Sequence, residues 1–366
     1  VVSFRIRLEP SGQEFMAESN ETVLAAALRQ GHALPYSCRN GSCATCKSHL
    51  ISGSVDYGSY DESALSAQER AVGKVLLCQA VPKSDLVVEA KELAAASHIP
   101  IRMLPARVVQ LERAADDVMI VRLKLAAGTR LEFLAGQYLD ILLKDNKRRS
   151  FSLANAPQDD EFLELHIRHV PDGLFSTQVF TSMKERDLLR FQGPLGTFFL
   201  RADDAKGDAT LGIAGRAQRE AQLPRTPGAA ESRPIILVAG GTGFAPIKSI
   251  IEDAIGRGEA RPMHLYWGAR ARRDLYRHAL AESWQASYSS FRYTPVLSAP
   301  TPDDQWTGRT GWVHEAVVTD HPDLRGFEVY ASGPPVMIHA LRKVVKRHGL
   351  ADDCLYYDSF EHARNR

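Results

Sequence analysis

No apolar run in the 366-residue sequence approaches the ~20 residues that a membrane-spanning helix requires. The longest candidates, such as Ile235-Ile236-Leu237-Val238-Ala239, have the length of a buried strand. An excess of one charge is also missing. Lys and Arg number 45 against 44 Asp and Glu, a formal charge of +1, so no global field draws the chain to nucleic acid or to an anionic membrane. The N-terminus lacks the charged, apolar and small-residue succession of a secretory signal. Cysteine is scarce at five residues, which argues against a disulfide framework and for a reducing, cytoplasmic setting. What remains is a chain of soluble type, long enough for two or three domains.

Four of the cysteines are arranged. Cys38, Cys43 and Cys46 stand in the spacing C-x4-C-x2-C and Cys78 follows at a distance, the ligand pattern of a plant-type 2Fe-2S cluster. Four thiolates must converge on two irons while the loop between them wraps the inorganic sulfides with backbone N–H groups, and bulky side chains would block that wrapping. The run Arg39-Asn40-Gly41-Ser42-Cys43-Ala44-Thr45-Cys46 is rich in small residues. Gly41 can take positive φ at a sharp turn, and Arg39 adds a cation beside a cluster of net negative charge. Zinc is the rival, although zinc ribbons usually use two C-x2-C pairs and this chain has one. Cys354 is left over and reads as a small, partly buried residue.

Around these cysteines, residues 1–92 resemble the plant-type ferredoxin domain, which implies a β-grasp fold over 1–95. Residues 2–8 alternate as a strand, Ser11-Gly12-Gln13 reads as a hairpin turn, and 86–89 as a closing strand. Residues 22–30 have helical spacing, with Asn20 as the expected N-cap and Gly31 just past the end. A Pro-containing linker, Ser97-His98-Ile99-Pro100-Ile101-Arg102-Met103-Leu104-Pro105, precedes a new domain expected to begin near Ala106. There the runs 118–125, 138–143 and 162–169, broken by turns, suggest an antiparallel barrel or sandwich.

Within that region Arg149-Ser150-Phe151-Ser152 resembles the R-x-Y/F-S motif of the ferredoxin-NADP reductase superfamily. The resemblance implies a flavin-binding β-barrel over 101–203, with Arg149 on a flavin phosphate, Phe151 against the flavin and the Ser152 hydroxyl near flavin N5. A guanidinium fork matches phosphate oxygens, and a small hydroxyl leaves the ring face open. Taken alone, so short a motif also reads as a surface arginine and a core aromatic. Gly173-Leu174-Phe175-Ser176-Thr177 opens an expected helix to Met183 whose N–H groups, with Ser176 and Thr177, suit the flavin pyrophosphate. Gly193-Pro194-Leu195-Gly196-Thr197-Phe198 matches the family's G-P-x-G-x-F turn and reads as structural. Residues 204–233 have no clear period and read as a linker or surface excursion, longer than the family's usual link.

The third region, 234–366, opens with an apolar strand, then Gly240-Gly241-Thr242-Gly243-Phe244-Ala245-Pro246 and a helix through Ile255. Strand, glycine turn and helix form a phosphate cradle, with Gly241, Thr242 and Gly243 at its centre. The third glycine of the dinucleotide fingerprint is absent, but the run fits the G-G-T-G-x-x-P of the same superfamily and implies a doubly wound parallel sheet binding NAD(P)H. After the next strand, 264–267, Arg270 could face the adenosine ribose. A cation there would suit NADPH, whereas the resemblance favours NADH. Tyr330-Ala331-Ser332-Gly333-Pro334-Pro335-Val336-Met337 resembles the family's Y-x-C-G-P-P-x-M nicotinamide motif, with Ser332 where cysteine is usual. Gly333 and Pro334 would border the nicotinamide, and Phe360 in the terminal Tyr356-Tyr357-Asp358-Ser359-Phe360 is the aromatic expected towards the flavin.

The order of ferredoxin, flavin barrel and nucleotide domain is that of reductase components of ring-hydroxylating oxygenases and soluble monooxygenases. Gly136-Gln137-Tyr138-Leu139-Asp140 and Arg149-Ser150-Phe151-Ser152-Leu153-Ala154-Asn155 look more like the CDP-6-deoxy-Δ3,4-glucoseen reductase subgroup. The resemblance implies electron flow from NAD(P)H through FAD, rather than FMN, and a 2Fe-2S cluster to a partner protein, a deoxysugar dehydrase or alternatively an oxygenase component. A reading of another class is a ferredoxin-like carrier or redox sensor. Arg149, Ser152 and the Gly240 to Pro246 turn separate the two.

Overall fold

A computed structural model describes residues 2–201 and 232–361. The expected linker at 204–233 lies outside the described residues, except for its last two positions. The chain divides into two compact units, one built on Val1–Pro100 and the other on Ile101–Leu200 with Arg233–Phe360.

In the first unit, strands β1 (Ser3–Glu9), β2 (Glu14–Glu18), β3 (Lys47–Ser52), β5 (Lys74–Leu76) and β7 (Leu86–Glu89) form a mixed sheet in the order β2-β1-β7-β3-β5, and β4 (Val55–Asp56) pairs with β6 (Val81–Pro82). The first and last strands of the unit, β1 and β7, run parallel in the middle, and helix α1 (Val23–Arg29) packs Val23, Leu24, Ala26 and Ala27 onto the sheet core. This is the β-grasp arrangement. The N-cap of α1 is Thr22, not Asn20: its Oγ1 accepts from the Ala25 N–H at 3.3 Å, a cap worth about 1 kcal/mol. Short helices α2 (Ala67–Ala71) and α3 (Ala94–Ser97) follow. The first turn of α2 is closed by a reciprocal Ser66–Glu69 capping box.

In the second unit, β8 (Arg102–Ala115), β9 (Val118–Lys124), β10 (Tyr138–Leu142), β11 (Arg148–Ser152), β12 (Leu163–Arg168) and β13 (Leu188–Leu195) make an antiparallel sheet in the order β11-β10-β13-β8-β9-β12. An antiparallel bridge from Leu153 to Leu165 joins its two end strands and closes the barrel. β8 begins at Arg102, inside the stretch expected to be a linker. Pro105 is tolerated because it pairs with Arg190 of β13 before the pairing with β9 begins at Arg107, so its missing N–H leaves no ladder bond unmade on that side. Gly193 and Pro194, expected in a turn, are instead the end of β13. Helix α4 (Leu174–Thr181) is placed by Gly173 at its N-cap and buries Phe175 and Val179 in the barrel core.

The rest of that unit is a six-stranded parallel sheet, β14 (Ile235–Gly240), β15 (Met263–Ala269), β16 (Phe291–Leu297), β17 (Arg309–Thr310), β18 (Glu328–Gly333) and β19 (Leu355–Ser359), in the order β17-β16-β15-β14-β18-β19. Alternation along β14 explains the two layers. Ile235, Leu237 and Ala239 join one core with helices α5 (Phe244–Gly256) and α6 (His278–Ser287), while Ile236 and Val238 join another with α7 (Val313–Asp320) and α8 (Pro335–Arg347). The strand order reverses between β14 and β18, and the crevice beyond the carboxyl ends at such a reversal is where open α/β sheets take their ligands.

Candidate functional site

In the first unit, Cys38, Cys43 and Cys46 lie in the loop between α1 and β3, and Cys78 follows β5. The β3–β5 register sets Lys47 against Leu76, so Cys46, just before one strand, meets the turn just after the other, and Leu77 N–H donates to the Cys46 carbonyl at 3.2 Å. That pairing is how a ligand so distant in sequence arrives. The thiols stand as two hydrogen-bonded pairs, Cys38 with Cys43 and Cys46 with Cys78. The Cys43 thiol holds Cys38 down to about 6 against the cost of burial, helped by the backbone N–H groups of Asn40, Ser42 and Cys43. Cys46 likewise lowers Cys78, while the donated bond and then burial push Cys43 and Cys46 up. No three Cys, His, Asp or Glu side chains among the described residues surround one ion. Two pairs fit a two-iron cluster, in which each iron takes two thiolates.

Gly41 shows how tightly the loop is wrapped. It has φ of 82°, and a Cβ there would sit 2.8 Å from the Ser59 carbonyl oxygen and 2.9 Å from Tyr60 Cα. The turn requires glycine twice, for its conformation and for the close approach.

In the second unit, two of the sequence motifs meet at the reversal of the parallel sheet. Gly241, Thr242 and Gly243 form a tight turn at the end of β14 and lead into α5. Next to it, Ser332 and Gly333 end β18, with Ala239 paired to Ser332. A Cβ on Gly243 would lie 2.0 Å from the Ser332 carbonyl oxygen and 2.8 Å from Gly333 Cα, so the glycine is what lets the two motifs touch. Trp267 Nε1 donates to the Gly241 carbonyl at 3.1 Å and stacks on Phe244 with centroids 3.9 Å apart, fixing the turn from beneath. Ser332 Oγ is buried and meets no hydrogen-bond partner among the described residues. Phe360 is half-buried and its N–H donates to the Gly333 carbonyl at 3.0 Å. Pro334 and Arg270 are exposed, Arg270 in the loop after β15.

The barrel brings its own motif to the same place. Ser152 ends β11 and is buried, and its Oγ donates to Asp358 Oδ2 at 3.5 Å. Asp358 in turn pairs with Ser332 across β18 and β19, so Ser152, Asp358 and Ser332 form one contiguous group. Phe151 packs on Phe175 of α4 at 5.3 Å between centroids. Ser150 Oγ donates to the buried Asp140 at 2.7 Å, and Arg149 lies half-buried with its guanidinium on the Arg148 carbonyl at 2.8 Å. Ser176 is engaged locally: its Oγ accepts from the Val170 N–H at 3.1 Å. The Thr177 N–H already donates to Gly173.

A polar seam holds barrel and nucleotide region in register. From α5, Ser249 Oγ donates to the Asn155 carbonyl at 2.7 Å, and Lys248 Nζ to the Ala154 carbonyl at 3.1 Å. These acceptors directly follow the Arg149 to Ser152 motif. Lys248 also meets Glu164 at 3.2 Å, and His166 bridges Glu164 at 3.0 Å and the Tyr276 hydroxyl at 2.8 Å. Burial opposes the charge on Glu164, but His166, Lys248 and Arg122 outweigh it and hold the carboxyl well below its usual range. Burial pushes His166 down despite Glu164; with the ring proton on Nε2, His166 donates to the carboxylate and accepts the tyrosine proton at Nδ1.

Comparison with known proteins bears on each part. Residues 6–83 match the 2Fe-2S iron-sulfur cluster binding domain, 105–200 the oxidoreductase FAD-binding domain and 237–343 the oxidoreductase NAD-binding domain. The CDP-6-deoxy-L-threo-D-glycero-4-hexulose-3-dehydrase reductase of Yersinia pseudotuberculosis is 37% identical over 98% of this chain and 99% of its own. The chain belongs to the iron–sulfur flavoprotein reductases of the ferredoxin-NADP reductase superfamily. Reductase component 2 of terephthalate 1,2-dioxygenase from Comamonas is 34% identical over 98% of both chains. The crystal structure of the Amycolatopsis cytochrome P450 reductase GcoB, 33% identical, superposes with a TM-score of 0.75 over 98% of each chain.

The protein is therefore an NAD(P)H-dependent oxidoreductase with 2Fe-2S and FAD as cofactors. The residues of this reductase fit those groups: paired thiols under inward N–H groups, a glycine turn at the sheet reversal, and a buried serine hydroxyl left for a ligand. Among the described residues no helix is long and apolar enough to cross a membrane. Asp358 and Lys248 went unassigned in the sequence. The one available signal was an unexplained charge in each case: a lysine within the mostly apolar first half of a helix, and an acid inside the strand Leu355–Ser359.

Proposed function

We propose that this reductase draws electrons from NADH and delivers them to a dehydrase of deoxysugar synthesis. The observation that carries the reading of its chemistry is the meeting of Ser152, Asp358 and Ser332 beside the Gly241–Gly243 turn. When bound, FAD takes the two electrons of a hydride together and the 2Fe-2S cluster passes electrons singly. The chain's own residues hold and orient. Arg149 would grip a flavin phosphate, Phe151 would pack against the ring, and Ser150 keeps β11 fixed through Asp140. Ser152, its hydroxyl proton donated to Asp358, would present the oxygen lone pair at flavin N5, with the carboxylate orienting the hydroxyl. The start of α4 would face the pyrophosphate through the backbone N–H groups up to Ser176 and the Thr177 hydroxyl, since the Ser176 hydroxyl is held by its own loop and the Thr177 N–H by Gly173.

On the nucleotide side, Gly241, Thr242 and Gly243 would receive the NADH pyrophosphate at the start of α5. Ser332, Gly333, Pro334 and Phe360 would border the nicotinamide, and Arg270 the adenosine ribose. Cys38, Cys43, Cys46 and Cys78 would ligate the cluster. We read the domains as 1–95, 101–203 and 234–366 with 204–233 between them. A cytoplasmic location follows from ligand thiols that must stay reduced to take up iron.

The dehydrase is favoured by the 37% identity to the Yersinia reductase along the whole chain. The second reading, a reductase component of an oxygenase, is supported by the equally complete match to the terephthalate reductase. Anaerobic mixing with NADH or NADPH and either a purified CDP-6-deoxyhexulose dehydrase or a ring-hydroxylating oxygenase component separates them. Reduction of the dehydrase, faster with NADH, is expected. Reduction of the oxygenase component alone would replace the first reading with the second.

A further inference from the structure

Gln79 follows the last cluster ligand and is 7% exposed, an unusual place for an amide unless its hydrogen bonds are satisfied. Its backbone N–H closes the turn onto the Leu76 carbonyl at 2.9 Å. The side-chain Nε2 then reaches three acceptors: the Cys78 carbonyl at 3.0 Å, the Arg39 carbonyl at 3.3 Å and Cys78 Sγ at 3.7 Å. Arg39 follows the first of the three ligands in the loop, and Cys78 follows β5. One amide thus ties together the two pieces of chain that must meet at the cluster. Gly58 lies over it, so closely that a Cβ there would come within 2.8 Å of the Gln79 carbonyl oxygen and 3.5 Å of Oε1.

We propose that Gln79 is a positioning residue that raises the reduction potential of the 2Fe-2S cluster by directing an amide N–H at Cys78 Sγ. The inference rests on the iron–sulfur reading of the four cysteines. Reduction adds one electron, supplied by NAD(P)H through the flavin, and no proton or bond change at Gln79 accompanies it. The added negative charge spreads onto the thiolate sulfurs, and a donor aimed at one of them stabilises the reduced form more than the oxidised form. A side chain of similar volume without the N–H would leave the fold in place and make the cluster harder to reduce.

The test is a dithionite titration of the full-length holoprotein in the presence of mediators, monitored by EPR, for wild type, Gln79→Leu and Gln79→Glu, with iron counted per chain. With two irons retained, the midpoint is expected to move to more negative potential in Gln79→Leu and further in Gln79→Glu, where a carboxylate replaces the donor. A midpoint equal to wild type in an iron-loaded variant overturns the proposal. If Gln79→Leu loses its iron, the near-isosteric Gln79→Glu decides by the same criterion. Loss of iron from both also overturns it, since the amide would then serve assembly and not potential. A wild-type protein without iron would overturn the iron–sulfur reading itself.

Discussion

The cluster loop and the crevice at the sheet reversal solve the problem of holding a redox group in opposite ways. In the loop, three ligands come from one short stretch, and a single strand pairing, Lys47 against Leu76, delivers the fourth. Backbone N–H groups and one buried amide supply the rest. In the crevice, the central contact joins Ser152 to Asp358 across 206 positions of sequence, and Lys248 and Ser249 of α5 are among the groups that hold the two sides together by gripping the carbonyls of Ala154 and Asn155. A site made by one loop depends on each ligand. A site made at a seam depends on the packing that brings its halves together.

That contrast can be broken from either side. The largest effect is expected from Cys46→Ser, which removes a ligand: transfer to a one-electron protein acceptor should fall to background while NADH-driven dye reduction persists. Loss of both activities would mean that the two sites are not separable. Next is Gly243→Ala, which drives a methyl into the Ser332 carbonyl at 2.0 Å. Such overpacking costs about 1–3 kcal/mol or more. A lowered melting temperature and impaired NADH-driven dye reduction are expected, with iron content unchanged.

Asp358→Asn keeps the shape and removes the charge that orients the Ser152 hydroxyl. Dye reduction should slow by roughly 10- to 100-fold, as expected for a group that orients a proton, while the cluster midpoint stays where it was. A shift in that midpoint would contradict the independence of the two regions.

The smallest effect concerns pH. His264 faces His321 at 3.3 Å and Thr294 at 2.8 Å. Burial, then His321, Arg292 and Arg309, lower it from 6.5 to about 4, with Asp320 opposing. Because the unfolded chain takes up this proton first, stability is intact above pH 6.5 and is lost as pH falls towards 4. The loss is on the order of 1–2 kcal/mol after allowance for partial exposure. Melting curves between pH 7 and pH 5 should show a smaller drop for His264→Gln than for wild type, with the cluster spectrum unaffected until unfolding.

The same contrast explains what was legible in the sequence. Cys38, Cys43 and Cys46 announce themselves because the chemistry constrains neighbours in one loop, and the Gly240 to Pro246 run does so because strand, turn and helix are local. The β-grasp, barrel and parallel sheet followed from short-range alternation and from family resemblance. Gln79, Asp358 and Lys248 act through partners brought near by strand pairing and domain packing, so an odd charge is the most that marks Asp358 and Lys248 locally and nothing marks Gln79. Two local rules also lost to context. Asn20 is as good a cap as Thr22 by type, but the helix begins where Val23 can bury. Pro105 reads as a strand breaker, yet it lies where only one neighbour strand is paired.

On the proposed reading, one chain couples hydride transfer at the seam to single-electron transfer at the loop. Anaerobic titration of the purified holoprotein with NADH, followed by visible absorption and EPR with flavin and iron quantified, tests it most directly. Flavin and cluster bands are expected to bleach together while the reduced-cluster EPR signal grows in. Bleaching of the flavin with the iron-loaded cluster left oxidised would contradict the coupling.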